Sequence, residues 1–464
     1  MRNDQAVVND PTVREAEFTR QATREARPQA WAAYLPQING NYNKGQREGS
    51  QLIVDAQVIQ DPNNPASRIL QPFANNSSFS PEFSGWGIEL RQTVFSWGGL
   101  VALKQSSRLA AQADADYGVA QQDLALRVST RYFDVLAALD NMQAQQASLD
   151  AISRQLEQAD KRFEVGLIAI TDVQEARAAR DTAAADLIAA KRQLATSQEL
   201  LREITDMQYA VLATPRATMP LAVPEPADPQ KWVEASMDQN LALTSSRLGA
   251  DIARDDVRVL FGDHLPQVSV VVGKSHLEQD DASTFPAVPG FPNGGALASS
   301  QNGDTDKSVS LQVTVPIWSS GATQSRVRQS SYRWQAAKQR LERVSRETER
   351  AARDAYLGVN SEISRVQALH QALESSATAL KATEAGYDVG TRTAIDVLAA
   401  RRILVQAQTA YSRSRYDYIL NVLTLKQAAG ILDRKALEDV NTWLEAPPPP
   451  ANPPTVDPAK PSAQ

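Results

Sequence analysis

RFEVGLIAITDVQEARAAR, residues 162–180, and GYDVGTRTAIDVLAARRIL, residues 386–404, are two versions of one stretch. Placing Phe163 on Tyr387 superposes Val165 on Val389, Gly166 on Gly390, Asp172 on Asp396 and Val173 on Val397. Ala176 and Arg177 then fall on Ala400 and Arg401. Each copy follows one long helical pattern and precedes another. Each therefore reads as the tip of a helical hairpin, with the glycine supplying the φ > 0 turn. In the first copy Thr171 and Gln174 are spaced to cap the returning helix.

Between Leu100 and Phe163 there is no proline and one glycine, Gly118. Val128, Val135, Met142, Leu149, Leu156 and Phe163 recur every seventh residue, and Tyr132 and Leu139 fill the intervening core position. Closer to the tip that position turns polar, with Gln146, Ser153 and Asp160. This is a heptad seam that becomes wetter toward its end. A helix over 98–164 rises ~1.5 Å per residue, a rod of roughly 100 Å. The return helix spans 171–206, and a proline-rich segment, 207–232, interrupts the rods. The second half repeats the plan: helix 231–261, long helix 321–385, tip 386–396, return helix 393–429. The chain thus divides into repeats 1–232 and 233–432, followed by a proline-rich tail, 433–464, expected to be disordered.

Ahead of each long helix the period changes from 3.6 to 2. In YLPQINGNYNKG, Ile38, Gly40 and Tyr42 share one face and Gln37, Asn39, Asn41 and Asn43 the other. HLPQVSVVVG matches it at 264–273. Trp86, Ile88, Leu90 and Val94 alternate with Glu89, Arg91 and Thr93, and ELRQTVFSWGGL is matched by SLQVTVPIWSSG at 310–321. Strands are expected near 34–60, 83–97, 265–277 and 308–318, with loops over 61–80 and 278–307. About ten residues of alternating faces is the length of a tilted bilayer-crossing strand. Four strands cannot close, and an open edge cannot remain in lipid, so a barrel would have to be shared between copies. Trp97 and Trp318, at matching strand ends, suit a membrane interface. The lesser alternative is that they cap a soluble β-layer.

Composition narrows the function. The net charge of −6 implies no nucleic-acid partner. With no cysteine there is no disulfide, thiol nucleophile, Cys-ligated zinc or thioether lipid anchor. No apolar run approaches the ~18 residues of a membrane-spanning helix. His264, His276 and His370 have no metal-ligand spacing, and no catalytic triad or phosphate-cradling loop is visible. No cofactor is expected, and an enzyme has no supporting constellation. The start, MRNDQAVVND, is not a signal peptide.

RFEVGLIAITDVQEARA, AGYDVGTRTAIDVL, the HLPQ strand start and the TVPIW–SSG strand end together resemble the TolC family of outer-membrane efflux and secretion ducts, over about residues 10–432. The resemblance implies a mixed α+β membrane protein. In that family a homotrimer pools four strands per chain into a twelve-stranded outer-membrane β-barrel, continuous with a twelve-helix coiled-coil tunnel in the periplasm. It implies an unlipidated chain shown in mature form behind a restored Met1. It further implies a passive, gated exit duct for drug efflux or type I protein secretion. The implied partners are outer-membrane lipid, a periplasmic adaptor, and an inner-membrane efflux pump or ABC exporter. Docking would be at the tip turns around Gly166 and Gly390.

By the same resemblance Asp396 faces the pore axis, so that three copies form a carboxylate ring that attracts or is blocked by cations. The plainer reading is a charge near a helix start, stabilised by the dipole. Ala399 stands where several relatives carry a second Asp, so one ring is expected and cation block is expected to be weaker than in a two-ring relative. Tyr387 and Arg392 match the gate latch, facing Thr171 and Asp172, and Gln155 with Glu384 matches a further pair. Such exposed links are worth ~1 kcal/mol or less each, and ordinary surface pairing is the alternative. The rival to the whole picture is a soluble coiled-coil scaffold or adaptor, which accounts for the heptads and tips but not for the strands.

Overall fold

The structure, a computed structural model, describes residues 8–46, 48–79, 82–209, 211–216, 218–284 and 298–445. In chain order the elements begin with α1 (Pro11–Arg24), α2 (Ala26–Ala32), β1 (Gln37–Gln46), β2 (Gly49–Asp61), β3 (Asn64–Phe79) and β4 (Glu82–Phe95). Next come α3 (Trp97–Glu164), α4 (Ile170–Thr205), β5 (Thr214–Pro215), α5 (Pro229–Gln239) and α6 (Leu241–Phe261). Then follow β6 (Gln267–Thr284), β7 (Ala298–Thr314), α7 (Ala322–Asp388), α8 (Ala394–Ala428), α9 (Arg434–Asn441) and β8 (Leu444–Glu445). They gather into two compact units, each drawing on both halves of the chain. One takes residues up to Arg24, Arg108–Asp251 and those from Gln335; the other takes Glu25–Ser107 and Ile252–Trp334.

The second unit is built on a six-stranded antiparallel sheet in which β1-β4-β6-β7 run side by side and β3, paired with β2, also meets β6 at Ser78–Thr284 and Phe79–Ser283. Its pleat separates two chemistries, because directly paired residues share a face. Ile38, Leu90, Val272 and Val309 lie abreast across all four strands. Val270 with Leu311 and Val268 with Val313 continue that face. Asn39, Glu89, Gly273 and Ser308 lie abreast on the other. The apolar face is uncovered: Ile38, Val309, Leu311 and Val313 are all more than half exposed. Among the described residues, β1 and β7 each keep one edge unpaired.

The strands are longer than their alternation predicts. Gln46 stands opposite Glu82 and Gly49 opposite Phe79 in one register, so the β1–β4 pair runs on into β2–β3 without a slip. It turns at Asp61–Asn64, where the Asp61 carboxylate accepts from the Asn63 N–H at 2.8 Å. The loop expected over 61–80 is therefore largely a strand. Pro65 and Pro72 mask the strand in the sequence, and among the described residues β3 has β2 on one side only over most of its length, where proline is tolerated. Likewise β6 and β7 run past 277 and start before 308, into the expected loop; residues 285–297 lie outside the described part. The far end of β7 is shorter than expected. It stops at Thr314, just before Pro316, which can give no ladder hydrogen bond. Trp318 thus lies beyond the strand, 84% exposed, while Trp97 opens α3.

The helical unit is held by a core in which Phe133 and Leu136 of α3 meet Val359 of α7 and Ile419 and Leu423 of α8, all fully buried. Each such side chain contributes about 1.5–3 kcal/mol. Phe133 stacks on Tyr416 at 5.5 Å, and the Tyr416 hydroxyl donates to Asp140 at 2.6 Å. Residues 433–445, expected to belong to the disordered tail, instead join this core. Asp433 caps α9 by accepting from the Ala436 N–H at 2.8 Å, Leu437, Val440 and Leu444 are buried, and β8 pairs with β5. The rest of the expected tail, 446–464, lies outside the described residues.

Toward its end α3 does not bury the large residues of the expected seam. Ala144, Ser148, Ile152, Gln155 and Ala159 are the buried set there. Met142, Leu149 and Leu156 are half-buried, and Phe163 is exposed. Ala159 meets Val173 and Ala176 of α4, and Leu156 packs against the same cluster, while Met142, Leu149 and Phe163 lie along a flank that stays partly open.

Candidate functional site

Both tips end in a Schellman turn, in which a left-handed residue closes the last helical carbonyls. At the first, the Gly166 N–H (φ +75°) donates to the Phe163 carbonyl and the Leu167 N–H to that of Arg162, both at 2.8 Å. At the second, the Gly390 N–H (φ +79°) donates to the Tyr387 carbonyl at 3.1 Å and the Thr391 N–H to that of Gly386 at 2.8 Å. No atom lies within 4 Å of where a Cβ would stand on either glycine. Val165, Leu167 and Val389, beside them, are 70–75% exposed. Each tip thus offers bare backbone flanked by apolar side chains.

The return helices start differently. At α8 the Thr393 hydroxyl accepts from the Asp396 N–H at 3.2 Å. The Asp396 carboxylate in turn accepts from the Thr393 N–H at 2.9 Å and from its hydroxyl at 3.0 Å, completing a capping box. These bonds to Thr393, backbone first, hold the Asp396 carboxyl below the usual carboxylate range, with the Arg392 charge adding to them. Within one chain Asp396 therefore behaves as a helix cap. At α4 the corresponding position is Ala169, whose side chain can accept nothing, and no side-chain cap forms. Thr171 lies inside the helix, so the expected Thr171–Gln174 cap is replaced by an uncapped start. Among the described residues, the Asp172 carboxylate receives no hydrogen bond.

Tyr387 and Arg392 do not meet Thr171 or Asp172 within the chain. Tyr387 lies under the Arg162 guanidinium, 5.0 Å from the ring centroid, and Arg162 also stands 3.7 Å from Asp388. Arg162 therefore joins the two tips, a role its sequence position alone does not disclose. The Arg392 N–H donates to the Gly386 carbonyl at 3.2 Å. Glu384 pairs with Arg401 rather than Gln155. Gln155 is only 8% exposed, yet both its amide atoms lack a partner, as does Arg401 Nε. No group of metal-ligating side chains occurs among the described residues, and no described helix is long and apolar enough to cross a membrane.

Comparison with known proteins places this arrangement. The family model for outer membrane efflux proteins matches residues 3–205 and 232–431, nearly all of both helical hairpins and their strands. The chain belongs to the outer membrane efflux protein family. It is similar to the outer membrane protein TolC of Vibrio cholerae, 35% identical over 95% of this chain and 92% of that one. TolC of Escherichia coli is 32% identical over 96% and 84%. The alkaline protease secretion protein AprF of Pseudomonas aeruginosa is 26% identical over 93% and 84%. Among solved structures, the CmeC outer membrane channel of Campylobacter jejuni has the same fold, with a TM-score of 0.69 at 16% identity, covering 95% of this chain and 88% of that one. VceC of Vibrio cholerae gives 0.65 at 16%, covering 92% and 95%. This efflux protein is thus a TolC-family protein of the Gram-negative outer membrane, mostly helical with a smaller sheet.

Proposed function

We propose that three copies of this outer membrane efflux protein pool their sheets into a twelve-stranded barrel and their rods into a periplasmic tunnel. The assembly is a passive exit duct for drugs and for proteins secreted by the type I route. The observation that carries this reading is the four-stranded sheet itself. One face is apolar and uncovered, the other polar, and both outer edges are unpaired, a combination stable in lipid only if the edges close on further copies. The partly open flank of α3 formed by Met142, Leu149 and Phe163 supports the tunnel, since a helix in a closed ring needs a face for each neighbour. The internal repeat gives each copy two hairpins, hence six tips around the threefold axis.

The duct has no energy source, so opening is driven by a periplasmic adaptor and an inner-membrane pump or ABC exporter, received at the turns around Gly166 and Gly390. Asp396 lines the periplasmic constriction. Tyr387, Arg392, Thr171, Asp172, Gln155 and Glu384 make the latch, its missing contacts supplied across copies, which gives the orphaned Gln155 amide a partner. No catalysis and no cofactor are involved. The test is migration of the purified protein as a heat-resistant trimer, followed by conductance in planar bilayers. A monomer that never enters a bilayer overturns the proposal.

A further inference from the structure

We infer that the outward end of the sheet's apolar face carries a binding site for the phosphate groups of an outer-leaflet lipid, centred on Lys274 and Lys307. The inference rests on the barrel reading above.

The apolar rows end abruptly on the side away from the helices. One step beyond the row Ile38–Leu90–Val272–Val309 comes the row Gly40–Ile88–Lys274–Lys307. Two residues along a strand is ~7 Å, so the lysines stand just past the hydrocarbon boundary. The next row is Tyr42–Trp86–His276–Thr305, an aromatic pair of the kind that girdles a barrel at the interface. Lys44 follows Tyr42 on the same face.

Lys274 and Lys307 are directly paired across β6 and β7, so their Cβ atoms lie ~5 Å apart on one face. Like charges placed opposite one another destabilise a strand pair unless something neutralises them. Among the described residues nothing does. Neither lysine forms an ion pair among the described residues, and neither does Lys44. Lys274 reaches over the Trp86 ring, 5.5 Å from its centroid, which positions the ammonium without neutralising it. Both lysines are exposed. The nearby carboxylate on this face, Glu278, is turned to His276 at 3.4 Å, and His276 also bonds Thr305 at 2.9 Å. Asp304 and Asp306 alternate with Lys307 along β7 and therefore stand on the opposite face. The missing anion must come from outside. At this depth the group that supplies paired negative charge beside acyl chains is a phosphorylated lipid headgroup: its chains cover the rows ending at Val309, and its phosphates meet the lysines.

The experiment uses the full-length purified oligomer and three probes: diphosphoryl lipid A, the same lipid stripped of its phosphates, and inorganic phosphate. Bound lipid per chain is counted by native mass spectrometry during titration from mixed micelles. The wild type is expected to prefer the phosphorylated lipid. Each lysine is worth ~1 kcal/mol near an anionic surface, so Lys274→Gln with Lys307→Gln weakens that binding about 30-fold. Lys274→Arg with Lys307→Arg restores it, and Lys231→Gln, on α5, leaves it unchanged. Equal binding of phosphorylated and dephosphorylated lipid by the wild type overturns the inference without recourse to any variant. Displacement of the lipid by equimolar inorganic phosphate overturns it too, since the occupant would then be a free anion. Insertion of the wild type into liposomes is measured in parallel. Insertion without lipid preference sinks the lysine site alone, whereas failure to insert sinks the barrel.

Discussion

Asp396 is asked to do two things, and two substitutions separate them. As a cap its carboxylate takes the Thr393 N–H and hydroxyl; as a member of a pore ring its charge attracts cations. Asp396→Asn removes the charge but keeps a side-chain oxygen able to accept the same N–H. Thr393→Ala keeps the charge but recreates at α8 the alanine start seen at Ala169 of α4. Loss of a threonine cap costs about 1 kcal/mol per chain, which moves the midpoint of a unit of this size by a few degrees. Removing three confined charges weakens cation binding on the order of tenfold or more. The assay is block of single-channel current by a trivalent cation, beside thermal unfolding of the same preparations. Asp396→Asn should lose the block and lower the melting temperature only slightly, by the share that depends on the charge; Thr393→Ala should keep the block and lower the melting temperature by a few degrees. If Asp396→Asn is blocked as tightly as the wild type, the ring does not exist at this residue. If Thr393→Ala loses the block equally, cap geometry and not charge sets the constriction. The pH dependence has a definite sign. The cap depresses the Asp396 carboxyl, so its contribution is present at neutral pH and is lost as pH falls through the lowered folded value. A ring of like charges acts oppositely, raising the pH at which block fades.

The contact of Tyr387 with Arg162 is made by the ring face, so Tyr387→Phe preserves it and Arg162→Gln abolishes it. Arg162→Gln should therefore raise closed-channel conductance more than Tyr387→Phe does; the opposite order would locate the latch at the hydroxyl. The glycines rank by surroundings as well as by φ. At Gly166 and Gly390 an added methyl meets nothing, and the cost is the ~1–2 kcal/mol of the left-handed backbone. At Gly430, also left-handed at φ +77°, a Cβ would clash with the backbone of Gln239 and Asn240. Gly430→Ala should lower the chemical denaturation midpoint well beyond Gly390→Ala, and equal midpoints would refute the close approach.

What could be read from the chain alone followed from how local its determinants are. The long helices and their glycine tips depend on turn chemistry within six residues, and that chemistry is written twice. The sheet faces were legible wherever one side of a strand is apolar, as at Trp86, Ile88 and Leu90. β2 falls within the strand expected over 34–60, whereas β3 was not legible, because Pro65, Pro72 and the asparagines around them read as a loop. The seam of α3 shows in its largest residues, whereas the most buried positions near the tip include Ala144, Ser148 and Ala159, which period counting on bulky side chains passes over. The capping box was available as Thr393-x-x-Asp396. Its absence at the first tip lay in a single letter, Ala169, and attention to Thr171 misplaced the cap.

In the proposed trimer that single letter would reach the rim. Under threefold symmetry the two unlike feet alternate, one stapled by a threonine and the other pliant at an alanine. A visitor made of six identical subunits would then meet two environments in strict alternation. It would have to fit them in pairs, because the difference between Ala169 and Thr393 would break the sixfold likeness of the proposed mouth.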